Sequence, residues 1–200
     1  MSKLVRYFTI CFVLFIHFGL YAQEAGKIEF ERRVSKDQFP AQIIQELSTY
    51  LEDARRVRFY QEFDGTRYSW EVKMVYNRKV FSLEYSSDLS LLDIEVLENW
   101  RRVKPSIKEP LADYFEKQYE RHRIRRVQLQ FLLQPGQTQV EFIASLLSDE
   151  LPQAQSYELE AEVKGIDNKE FGFYEFLFDH KFQLIEKRKI IPISDVNLHF

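Results

Sequence analysis

Acidic side chains recur at every second position in two stretches of the chain, Asp93 and Glu95 in one and Glu158, Glu160 and Glu162 in the other. Such rows suggest paired-carboxylate catalysis or a calcium site. Alternation along a strand, however, sets each row on one face in steps of about 7 Å, too wide for a compact oxygen cage from one strand. The plainer consequence is a solvated sheet face that discourages aggregation. Beyond the first 22 residues the histidines are His122, His180 and His199, none in an H-E-x-x-H pattern or near a second ligand, so they are read as surface or turn residues and no metal site is expected. Only six glycines occur in 200 residues, and neither a Gly-rich phosphate loop, nor G-x-S-x-G, nor S-x-x-K is present. No catalytic residue and no cofactor is expected, and an enzyme reading is left with a site dispersed along the chain.

Basic side chains gather at two points, Arg55, Arg56 and Arg58, then Arg121, Arg123, Arg125 and Arg126. Each group falls where a helical pattern gives way to a strand pattern. Complementarity with the negative end of the helix and pairing with acidic neighbours account for it; a patch for an acidic partner or lipid headgroup is the sharper reading.

The elements that must position these residues show first in composition. Hydrophobic residues make up 45% and charged residues 30%, and the 18 Phe and 11 Tyr favour strands in a globular chain. The opening differs from the rest. Lys3 and Arg6 precede an apolar run from Tyr7 to Ala22, the order of a signal peptide over residues 1–22. Its removal takes the only cysteine, Cys11, and leaves 26 basic against 31 acidic side chains, a net charge of −5. A chain without thiols has no disulfide, thiolate metal site or cysteine nucleophile. The negative balance argues against nucleic acid, and no stable membrane span is expected after cleavage.

The remainder repeats. Slid by 91 positions, Glu71, Val72 and Lys73 fall on Glu162, Val163 and Lys164, and Glu84, Asp88 and Glu95 fall on Glu175, Asp179 and Glu186. In the first copy Pro40 opens a helix carrying Ile43, Ile44, Leu47, Tyr50 and Leu51. Period-two runs follow through Val57 to Phe63, Tyr68 to Tyr76, Phe81 to Tyr85 and Leu92 to Val96, broken by turns at Asp64-Gly65, Asn77-Arg78 and Ser86 to Ser90. In the second copy Pro105 and Pro110 lead a helix with Leu111, Tyr114, Phe115 and Tyr119, with Ser106 and Glu109 as a possible capping box. Its first strand is followed by an insertion with a T-x-x-E cap at Thr138 and Glu141 and a stripe of Val140, Ile143, Leu147 and Leu151, widened by Phe142 and Leu146. The expected fold is α+β: two repeats of one helix packed on a four-stranded antiparallel meander, over residues 23–100 and 101–200, the second holding a helical insertion at about 135–155 and an apolar C-terminal tail.

The copies differ in one respect that bears on function. Val80, Ser82 and Ser86 of the first become Phe171, Phe173 and Leu177 of the second. Apolar groups thus stand on a face that is polar in the other copy and need a cover, either the inserted helix or the tail, or else they bind something. Burial of all three beneath residues 139–151 would remove the binding idea.

The sequences V-R-F-Y-Q-E (57–62), Y-S-W-E-V-K (68–73), F-S-L-E-Y (81–85) and L-L-D-I-E-V (91–96), behind a helix opened near a proline, resemble the PepSY-like family, which has the beta-lactamase-inhibitor-protein-like fold. The resemblance covers residues 34–98 well and 103–190 less well. It implies an exported, non-enzymatic module that binds proteins or peptides. The reading is a bacterial periplasmic or secreted protein that recognises a protein or peptide partner of the envelope through its sheet surfaces. Tyr60, Phe171, Phe173 and Leu177 would be its anchors, flanked by Arg123 and Arg125. A carrier of an apolar small molecule or lipid is the alternative and would need an enclosed cavity; a hydrolase would need a deep pocket with converging polar groups.

Overall fold

The computed structural model describes residues 30–190 apart from 64–65, 149 and 168–169. The expected signal peptide over residues 1–22, the expected turn at Asp64-Gly65 and the tail beyond Ile190 lie outside the described residues. In chain order the elements are β1 (Phe30–Val34), a 3-10 turn, α1 (Ala41–Glu46), α2 (Ser48–Asp53), β2 (Arg55–Phe63), β3 (Tyr68–Tyr76), β4 (Lys79–Ser86) and β5 (Leu91–Glu98). Then come α3 (Pro105–Gln118), β6 (Tyr119–Phe131), α4 (Gln139–Leu146), β7 (Ser156–Gly165), β8 (Phe171–Asp179) and β9 (Leu184–Lys189).

The strands form one nine-stranded antiparallel sheet in strict sequence order, which overturns the expected pair of four-stranded meanders. The two halves meet where β5 pairs with β6, Ile94 opposite Phe131 and Val96 opposite Leu129. The reason lies in α3. Its 14 residues span about 21 Å and carry the chain onward past the end of β5, since β6 begins at Tyr119, well before the Val127 that pairs with Glu98; β6 then returns antiparallel along the open edge of β5. The first half also gains β1 on its outer edge, with Val34 opposite Phe59. In Phe-Glu-Arg-Arg-Val only Val34 is buried, so no alternation marks this strand.

Turn chemistry follows residue type. Asn77 and Arg78 both take positive φ, 45° and 62°, as a tight two-residue hairpin of primed type requires. The anticipated single helix after Pro40 is broken at Leu47, which leaves helical geometry and is fully buried, so α1 and α2 are separate short helices. Helix α3 starts at Pro105 and not at a Ser106 cap, and Pro110 sits inside it. Thr138 does cap α4: its Oγ1 accepts from the Glu141 N–H at 3.3 Å, and the Glu141 carboxylate accepts from the Thr138 N–H at 3.1 Å.

The helices share one face of the sheet. Ile43, Leu47, Leu111, Phe115, Phe142, Ile143 and Leu146 join the inward strand residues Phe81, Leu83, Ile94, Val127, Phe131, Phe176 and Phe178 in a single core. Phe115 meets Phe176 edge-on, ring centres 4.9 Å apart, a favoured aromatic geometry. Polar ties hold α4 in place: the Gln139 amide donates to both Glu46 carboxylate oxygens at 2.7 and 2.9 Å and accepts from the Leu91 N–H at 2.8 Å, and Asn77 Nδ2 donates to the Leu147 carbonyl at 3.2 Å.

Because the seam at β5–β6 lies inside a continuous core, Phe131→Ala should cost about 3–5 kcal/mol and weaken both halves together. Hydrogen exchange read separately in β2–β5 and β6–β9 checks this; loss of protection confined to one half would mean two independently folding units.

Candidate functional site

The other face carries no helix among the described residues. One cavity of about 800 Å³ on that face touches residues of all nine strands, from Glu31 on β1 to Arg188 on β9. A single cavity reaches every strand only if the sheet curves, so the face is a trough. Its lining includes nine carboxylates against four cationic side chains, which makes the trough acidic. It does converge polar groups, yet it runs across the width of the sheet and does not sink into the core.

The strand register builds the floor in rows. Glu71 stands opposite Glu84, and Glu84 opposite Asp93. A second row runs Lys73, Ser82, Glu95, Gln130 and Ser156. A third runs Arg126, Glu160, Glu175 and Arg188. Like charges directly opposite one another destabilise a sheet, so each row needs neutralising.

The chain neutralises the two ends. At the β1–β3 end Lys73 Nζ lies 2.7 Å from Glu71, 3.0 Å from Glu31 and 3.9 Å from Glu62. These three carboxylates have the closeness of a metal site, but the lysine ammonium already occupies the place of a cation. Burial pulls the Lys73 pKa down, and the charges of Glu71 and Glu31 more than reverse it, so the net direction is upward. At the far end Arg126 pairs with Glu160 at 3.2 Å and Arg188 with the buried Glu175 at 2.5 Å.

The middle is treated differently. Among the described residues, the donors that reach Asp93 and Glu95 are the side-chain amides of Gln130, at 2.9 Å, and Gln128. Gln130 is held in turn by the Ser156 hydroxyl, which donates to it at 2.6 Å. Amides satisfy a carboxylate without discharging it. Burial, then the charge of Glu84, pushes Asp93 up to about 7. Burial, then Glu158 and Asp93, raises Glu95 well above the usual carboxylate range. Glu62 rises to about 9 through burial, a hydrogen bond shared with Glu71 and the Glu71 charge. Raised carboxylates gathered in a concavity are a mark of functional sites.

The anticipated anchors fall on this same face. Phe171 is 76% exposed and Phe173 and Leu177 are half-buried, standing on β8 opposite Lys164, Glu162 and Glu158. Helix α4 packs on the opposite face and does not cover them. Arg123 lies opposite Glu162 in register, and Arg125 pairs with Glu162 at 2.6 Å. Phe171, Phe173, Arg123 and Arg125 are thus brought to one region around Glu162. Tyr60 is not; it sits on β2, six strands away, beneath the Lys73 ammonium at 4.8 Å. Of the acidic rows read from sequence as a solvated face, Asp93, Glu95, Glu158 and Glu160 line the trough, while Glu162 is exposed and is not part of its lining. The signal was the alternation itself, extended across strands by a register that the sequence does not state.

A second cavity of about 510 Å³ opens on the helix side, between the start of α3, residues 151–154 and the strands, with Val103, Ile107, Leu129, Leu151, Tyr157 and Phe182 among its walls.

No protein-family profile and no curated protein matches the chain. Among solved structures it is similar to a BLIP-like protein from Bacteroides fragilis, with 10% identity and a TM-score of 0.46 over 81% of this chain and 92% of that one. A likeness this loose assigns no role to any residue. No helix of the described residues is long and apolar enough to cross a membrane.

The raised carboxylates set a pH dependence. A carboxyl with a raised folded-state pKa contributes stability that is fully present below its ordinary pKa and is lost as pH rises through the folded value. For Asp93 that window runs from 3.8 to about 7, and for Glu62 from 4.5 to about 9. The melting temperature should therefore fall between pH 5 and pH 8, by about 2–4 °C for each kcal/mol lost. Asp93→Asn should flatten the fall and raise the melting temperature at pH 8. A melting temperature that is flat or rising over that interval in calorimetry contradicts the assignment.

Proposed function

We propose that the chain is an exported, non-enzymatic binding protein that docks a protein or peptide on the helix-free face of its sheet. The single observation that carries this is the contrast between faces: four helices seal one, while the other is left as a trough of about 800 Å³ with partly exposed aromatics at one side. Phe171, Phe173 and Leu177 are the apolar anchors, and Arg123 and Arg125 flank them. Tyr60 marks the far side of the same face. Removal of residues 1–22 on export, and membership of the PepSY-like family, belong to the same reading. Hot spots of this kind combine a few large apolar groups with charged neighbours that fix orientation.

A second reading has its own observation. The cavity of about 510 Å³ beside α3 is within the size of small-molecule sites, and its walls of Val103, Ile107, Leu129 and Tyr157 suit an apolar ligand or lipid.

An affinity capture from a bacterial envelope extract separates the two. The bait is used as wild type, as a Phe171→Ser/Phe173→Ser variant, and as a Glu109→Gln/Glu116→Gln variant on the exposed side of α3, each checked for folding by circular dichroism. The expected result is one protein held by the wild type and the α3 variant and lost from the sheet variant. Equal retention by all three overturns docking on this face, and no specific protein on any bait moves the case to the apolar cavity.

A further inference from the structure

Of the four cations that line the trough, Lys73 sits among three carboxylates toward one end, Arg126 and Arg188 pair with Glu160 and Glu175 toward the other, and Arg67 stands just before β3. Between them the donors to Asp93 and Glu95 are neutral amides. The middle is thus the part of the face where a positive charge from outside meets the least competition. Beside Asp93 the trough is walled by Leu92 and Leu132, each 41% exposed. An exposed aliphatic wall next to a carboxylate suits a long cationic side chain, which lays its methylene stem on apolar surface and presents its charged head to an acid.

We infer that the centre of the trough, over Asp93 and Glu95 and between Leu92 and Leu132, receives a lysine or arginine side chain from a basic segment of the docked protein or peptide. This rests on the docking reading above and names the chemistry of its partner. The end cluster of Glu31, Glu62 and Glu71 supplies the internal precedent, since there the fold itself inserts a lysine among carboxylates. A small inorganic cation satisfies the acids but leaves the leucine walls wet, and a neutral peptide leaves the acids uncompensated.

Arrival of a fixed positive charge favours the ionised form of the carboxyls it meets. The groups facing Asp93 are Glu71 on β3, Glu84 on β4, Gln130 on β6 and Glu158 on β7; those facing Glu95 add Arg126 and Gln128 on β6. All but Arg126 are acids or neutral amides, so binding of the cation releases protons and strengthens as pH rises through neutrality.

The test uses the full chain and a fluorescein-labelled nonapeptide of alternating arginine and glycine, followed by anisotropy at about physiological salt, beside the same peptide with citrulline for arginine. The arginine peptide should bind, and the citrulline peptide should not. Asp93→Asn/Glu95→Gln should weaken binding about tenfold, equivalent to about 1.4 kcal/mol, whereas Glu109→Gln/Glu116→Gln on α3, which removes the same charge from the other side of the molecule, should leave it unchanged. Affinity should rise several-fold from pH 6 to pH 8 in the wild type and stay level in the Asp93→Asn/Glu95→Gln variant. Gln130→Lys, which places a cation in the trough, should block the peptide even if the double variant folds poorly. Equal weakening by the sheet and α3 variants, equal binding of the citrulline peptide, or no binding at all overturns the inference. If a captured partner is lost from Phe171→Ser/Phe173→Ser but held by Asp93→Asn/Glu95→Gln, docking stands and the cationic segment does not.

Discussion

A nine-stranded sheet has two faces, and the helices of the described residues all lie on one. That constraint governs the rest of the molecule. On the covered face the residues of each strand are free to be aromatic, because Leu47, Leu111, Phe115, Phe142 and Leu146 close over them. On the uncovered face every alternate residue must be tolerated by water, which is why Glu, Asp, Ser, Gln and Arg recur there. Curvature toward that face then takes part of the water away again. Glu71, Glu175 and Gln128 are buried although no helix of the described residues lies over them.

Burial of that kind is costly for a carboxylate, and the protein meets the cost unevenly. Where a lysine or arginine is at hand the acids pair, as around Lys73 and along Arg126, Glu160, Glu175 and Arg188. In the centre it uses amides, and the result is a pair of carboxyls, Asp93 and Glu95, held toward their protonated forms. Replacing them with neutral polar residues would relieve that cost. Departures from local consistency of this sort are expected at functional or strained sites.

Local elements were legible because each follows from a local rule. The period-two runs mark β2, β3, β4 and β5; Asn77-Arg78 marks a hairpin; Thr138 and Glu141 mark the start of α4. What escaped depends on pairing between distant segments. The likeness at an offset of 91 shows that two stretches have the same pattern, but it does not say that β6 would pair with β5 and merge them into one sheet. Strand β1 was invisible because an edge strand with one buried residue has no alternation to display. The break falls at Leu47, a good helix former buried in the core, so no residue preference announces it. The acidic rows were seen, and their face was correctly separated from the apolar one. Their enclosure was not, since curvature is a property of the whole sheet and no single strand carries it.

The apolar and acidic parts of the bare face work as one surface only if a partner reaches both. Asp93 is on β5 and Phe173 on β8, three strand spacings apart, roughly 14 Å at about 4.8 Å per strand. About four or five extended residues cover that span. A short segment with a basic side chain at one end and an apolar one at the other therefore bridges the centre of the trough and the β8 aromatics without bending. Tyr60, on β2 at the other side of Asp93, lies three spacings away in the opposite direction, so the same segment would have to cross the trough to reach it. The acids over β5 are the midpoint of the surface, and a partner's charge placed there sets the register in which its apolar contacts meet either side.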